Sequence, residues 1–88
     1  MTRGIASRIK NDSSFSKFIF EAVARYLTCD WGELCKEDKA MNDSAVKNND
    51  DRIVARYNCD SESIYIITEW DRSVTTILFI EEYWKKVK

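Results

Sequence analysis

The hydrophobic period changes once along this chain, near residue 50, and that change limits its fold more than any other feature. Before it, apolar residues recur every three or four positions; after it, they alternate. In SSFSKFIFEAVARYLT, residues Phe15, Phe18, Ile19, Ala22, Val23 and Tyr26 share one helical face, and Phe20, Ala24 and Leu27 widen the apolar stripe. Asp12, Ser13 or Ser14 can cap this helix by accepting a backbone N–H bond. Ile5 and Ile9, four apart, predict a short helix before it. Asp30 followed by Glu33 is a capping-box pattern, which predicts a further helix burying Trp31, Leu34 and Cys35. Met41, Ala45 and Val46 continue its apolar side, a break or kink is expected near Asp38, and Asn48-Asn49-Asp50 ends it, because such side chains compete for backbone bonds.

Beyond residue 50 the pattern is that of strands. Ile53, Ala55 and Tyr57 alternate with Val54, Arg56 and Asn58; Ile64, Ile66, Thr68 and Trp70 alternate with Tyr65, Ile67 and Glu69. Val74, Thr76, Leu78 and Ile80 alternate with Thr75, Ile77 and Phe79. Short polar turns at Asp60–Glu62 and Asp71–Ser73 make the three strands an antiparallel meander. A three-stranded sheet is marginal alone, so the helices must cover one of its faces. The expected fold class is α+β, a single domain over residues 1–88. Its helical part covers about residues 1–47 and its sheet about 51–83. With no proline and only two glycines, there is no linker to divide it.

Charge narrows the function classes. The formal net charge is −1 and the pI about 5.4, so the basic excess of a general nucleic-acid binder is missing. The charge is uneven: residues 1–28 carry +3 and residues 29–62 carry −4. An acidic middle suits a partner with a basic surface. Three cysteines, Cys29, Cys35 and Cys59, argue against a disulfide framework. No apolar run approaches the roughly 20 residues of a membrane span. The opening MTRGIASRIK lacks the apolar core of a signal peptide, and a cytoplasmic protein with reduced thiols is expected.

Catalytic constellations are sparse. There is no histidine, which removes His-based triads and zinc–histidine sites, and no glycine-rich phosphate loop. Asp50, Asp51, Asp60, Glu62, Glu69 and Asp71 fall near strand ends, where converging carboxylates could hold Mg²⁺. The lysine that the familiar nuclease arrangement needs two residues after its second acid is lacking. No enzyme activity, cofactor or metal is therefore expected. Tyr57, Tyr65, Trp70, Phe79, Tyr83 and Trp84 read as core or partner-facing aromatics rather than a base-stacking platform, since few basic residues interleave with them.

The strings DWGELCKEDKAMNDSAVKNNDDRIVARY and IYIITEWDRSVTTILF, with the TRGIA start, resemble a family of small "plasmid-related" proteins encoded on plasmids, conjugative elements and phages of Firmicutes and gut bacteria. Nearly the whole chain is covered. The matching positions are Thr2 to Ile5, Asp30-Trp31-Gly32, Glu37-Asp38, Asn42, Asp51-Arg52-Ile53, and Ile67-Thr68-Glu69 with Asp71-Arg72-Ser73. Trp70 departs from the smaller residue of that family. The resemblance implies a mobile-element protein that inhibits host defence, as anti-CRISPR proteins do, by stoichiometric contact with a protein effector such as a Cas nuclease. The partner-binding residues expected are Asp30, Trp31, Glu37, Asp38, Asp51, Arg52, Glu69, Trp70, Asp71 and Arg72, with Trp31 or Trp70 as apolar anchor. The alternative is a small nucleic-acid-associated regulator of plasmid or conjugation functions, using Arg3, Arg8, Lys10 and Lys17. Either would act as a monomer or homodimer, away from membranes.

Overall fold

The computed structural model describes residues 1–59 and 62–82. Asp60, Tyr83 and Trp84 lie outside these residues. The elements run α1 (Arg3–Asn11), α2 (Ser13–Leu27), α3 (Lys36–Asn48), β1 (Ile53–Cys59), β2 (Glu62–Thr68) and β3 (Thr75–Phe79). The strands form an antiparallel sheet in the order β1-β2-β3, giving the expected α+β arrangement.

Strand register explains the alternation. Ile53, Thr68 and Thr75 align in one row; Ala55, Ile66 and Ile77 in the next; Tyr57, Ile64 and Phe79 in the third. A period of two puts these rows on one face, and all but the exposed Thr75 join or adjoin the buried core. Against them pack Ile5 of α1 and Phe15, Ile19 and Ala22 of α2. Phe15 stacks obliquely on Phe79, ring centroids 5.5 Å apart. The hydroxyl of the buried Thr68 bonds both Tyr26 Oη and Thr75 Oγ1, so a polar group in the core is satisfied.

Asp12 closes α1 and opens α2, where its carboxylate accepts the Phe15 N–H at 3.1 Å. Arg8 reaches the same carboxylate and also grips Glu62 through two guanidinium nitrogens. These bonds tie the helical pair to the start of β2.

Several helical expectations change. The Asp30-x-x-Glu33 pattern starts no helix: α3 begins at Lys36 and runs unbroken past Asp38. Asp30 instead spends its carboxylate on the Gly32 N–H and on Arg25, because Cys29 and Gly32 take positive φ values of 64° and 77° that no helix allows. Cys35 is the N-cap of α3 and is exposed. Phe20, Ala24 and Leu27 also lie in solvent, as do Met41 and Val46, since each helix turns only one side to the sheet.

The outer edge of β1 is closed by side chains and a loop. Asn42 on α3 donates to the Val54 carbonyl at 2.7 Å and accepts the Val54 N–H at 3.3 Å, taking the place of a neighbouring strand. The Arg56 N–H donates to the Trp31 carbonyl, and the Arg56 carbonyl accepts the Glu33 N–H. On the other edge the Thr2 N–H donates to the Ile77 carbonyl. Among the described residues no helix is long and apolar enough to cross a membrane.

Candidate functional site

The turn between β2 and β3 holds Glu69, Trp70, Asp71 and Arg72. Its backbone is a tight loop: the Glu69 carbonyl accepts the Arg72 N–H at 2.9 Å, and the Glu69 N–H donates to the Val74 carbonyl. The Asp71 carboxylate accepts both the N–H and the hydroxyl of Ser73, at 3.1 and 2.7 Å. Those bonds favour the charged form and hold the Asp71 carboxyl below its usual range.

Arg72 does not pair with either neighbouring acid. Its guanidinium donates to five backbone carbonyls: Asp51 (2.6 Å), Ala45 (2.8 Å), Asp50 and Trp70 (3.1 Å each) and Glu69 (3.3 Å). Ala45 lies in the last turn of α3, where carbonyls run short of helical partners. One side chain therefore fastens the end of α3, the loop into β1 and the β2–β3 turn together. Asn49, Asp51 and Arg72, all within this assembly, hold positive φ values of 53°, 45° and 63°. Such backbone persists only where the surroundings over-determine it.

Trp70 sits on this braced loop with its side chain in solvent, 67% exposed. Asp71, Asp50 and Asp51 are exposed around it, and Glu69 is half-buried. Beside the same loop, a cleft of about 270 Å³ brings Asp38, Asp51 and Arg52 together with Met41, Val54 and Tyr65. Of the ten candidate residues, Asp51, Arg52, Glu69, Trp70, Asp71 and Arg72 thus gather at one end, and Asp38 adjoins them across the cleft.

The remaining three are placed differently. Glu37 lies in the first turn of α3, exposed, and does not line the cleft. Asp30 is engaged by Arg25 at 2.8 Å, which with the Gly32 N–H lowers its carboxyl. Trp31 is 4% exposed: its ring meets Tyr26 edge-on at 5.5 Å, and its Nε1–H donates to Asp43 at 2.8 Å. It belongs to the core and offers no surface anchor. Asn42 and Asp43 escaped the sequence reading as site-shaping residues. Asn42 stands among the positions of the resemblance, and a polar residue there breaks the apolar period of α3, but neither signal names its role.

Among the described residues, no three Cys, Asp or Glu side chains come close enough to hold a metal ion. Cys29 and Cys35 are exposed and free. What the site presents is an indole on a stiff acidic loop. No family model matches the chain, and neither a curated protein nor a solved structure is significantly similar to it.

Proposed function

We propose that this chain is a mobile-element accessory protein that binds and inhibits a host-defence effector in the bacterial cytoplasm, with a CRISPR–Cas nuclease the first target to test. Inhibition is stoichiometric and involves no chemistry on the effector. The observation that carries the reading is Trp70, solvent-exposed on a loop that Arg72 clamps to two other segments, the end of α3 and the loop into β1. A large aromatic side chain with few torsions, on a loop whose backbone is already fixed, loses little entropy on docking and is a frequent interface anchor. The acidic groups around it, Asp50, Asp51, Glu69 and Asp71, complement arginines and lysines of a nucleic-acid groove on the effector. A net charge of −1 favours this local patch over imitation of a long phosphate backbone.

Support for direct nucleic-acid binding is thinner. Arg8, one of the four basic residues that reading relies on, is occupied by Glu62 and Asp12. The test is a plasmid-interference assay in cells carrying single CRISPR–Cas systems. Restored plasmid survival with one system is expected, and its loss on Trp70→Ala or on Glu69→Ala with Asp71→Ala. Interference that proceeds unchanged in every system, with the protein folded and present, refutes the reading.

A further inference from the structure

α2 buries one side against the sheet and keeps a second apolar side in water. Phe20 is 80% exposed and Leu27 77%, and Met1, at 60%, lies beside them. They border a groove of about 400 Å³ that α1 (Ile9), α2 (Ile19, Val23) and β3 (Ile77) also line. A projecting ring and a cavity able to receive one therefore occupy the same face. That is the requirement for a twofold contact, in which each copy offers the patch it needs.

We propose that a second copy of this chain closes this face, with the two α2 helices antiparallel across a twofold axis near Phe20 and each Phe20 seated in the other copy's groove. Ser13, Ser16, Phe20, Val23 and Leu27 follow the alternating spacing of three and four that keeps a seam facing a partner helix. Phe20 stands at its middle. Ser16 and Ala24, one turn before and after Phe20, are small and leave room for the opposing ring.

Charge completes the match. Lys17 and Glu21 are exposed along one flank of the seam. In an antiparallel pair the same flanks meet, so Lys17 of each copy faces Glu21 of the other. A lipid surface would call for a flank of one positive sign, which this is not. The three exposed side chains alone offer roughly 400–500 Å² per copy, and the pair with its rim reaches about 1,000 Å², the lower bound for a specific contact. The dimer is therefore weak and reversible.

Sedimentation equilibrium from about 10 µM to 1 mM tests this, and a Kd on the order of 0.1 mM is expected for the unaltered chain. Phe20→Asp should stay monomeric throughout; its site is exposed, and a circular dichroism melt checks that it folds. Lys17→Glu and Glu21→Lys should each weaken association about three- to tenfold, and the double exchange should restore it to within about twofold. A monomer at every concentration overturns the proposal, and so does a double exchange as weak as the single ones. A chain that is monomeric but floats with anionic phosphatidylglycerol vesicles overturns it too, and gives the face to lipid.

Discussion

At position 72 an arginine holds a backbone angle, φ 63°, that glycine or asparagine adopts at less cost. Its guanidinium compensates by satisfying carbonyls of three segments at once. We expect Arg72→Ala to lower the free energy of unfolding by about 2–3 kcal/mol, read from urea denaturation, because charged hydrogen bonds to carbonyls are among the stronger ones. Arg72→Lys should recover less than half, since an ammonium cannot fork between Ala45 and Asp51. A loss under about 0.5 kcal/mol would show that the clamp is ornamental. None of this was legible in EWDR, where the eye pairs Arg72 with its neighbours Glu69 and Asp71. The carbonyls that matter belong to residues 21 to 27 positions away. Trp31 admits two readings, as a buried residue from its spacing and as a surface anchor from the resemblance. The first holds: Asp43, twelve residues on, satisfies the indole N–H and lets the ring enter the core. Trp31→Phe should therefore cost about 1–2 kcal/mol by the same measurement, through the lost indole hydrogen bond and the space that the smaller ring leaves, since the exposed Asp43 carboxylate turns to water.

Among the elements, the strands could be read directly because alternation sets which residues share a face, although Ile67 and Leu78 are buried on the face away from the helices too. Rows such as Ala55–Ile66–Ile77 fall where the pattern puts them. The start of α3 could not be read, because an acid three residues before another serves a helix cap and a loop equally well. Gly32 decides between them. Its backbone is left-handed, and an added Cβ would lie 1.9 Å from the Arg56 carbonyl oxygen. Gly32→Ala should destabilise by 3 kcal/mol or more, roughly the cost of a forbidden backbone state plus the lost bridge to β1. Urea titration of that variant checks it; a stability within about 1 kcal/mol of the original would mean that the loop can leave the edge. Phe20 and Leu27 show the other limit of pattern reading. A helical wheel reports how wide an apolar stripe is, and only the fold reports which part of it finds a cover.

As a whole, the sheet has unlike edges among the described residues: β1 is bonded at several points along its edge, and β3 receives one backbone bond. Asn42 and the loop carrying Trp31 and Glu33 occupy the β1 edge, and Thr2 bonds to β3. Stability against acid also belongs at this scale. The carboxyls of Asp12, Asp30 and Asp71 are all lowered: by the Phe15 N–H and Arg8, by Arg25 and the Gly32 N–H, and by Ser73. A lowered carboxyl stabilises the fold above its unfolded value, near pH 4, and loses that contribution as pH falls through the folded value. The chain has no histidine, so no imidazole adds a transition between about pH 5 and 8. Thermal melts should be nearly flat between about pH 7 and 5 and decline below about 4. A decline that begins near pH 6 would contradict this assignment.

The clamp at Arg72 binds neutral carbonyl oxygens rather than carboxylates. Guanidinium and amide groups keep their protonation through the range in which carboxylates lose theirs. At the tip the two supports therefore answer acid differently: protonating Asp71 weakens its hold on the Ser73 N–H, and the Arg72 clamp keeps every donor that it has. Acid reaches the turn's own bonds before it reaches those that fasten the turn to the rest of the fold.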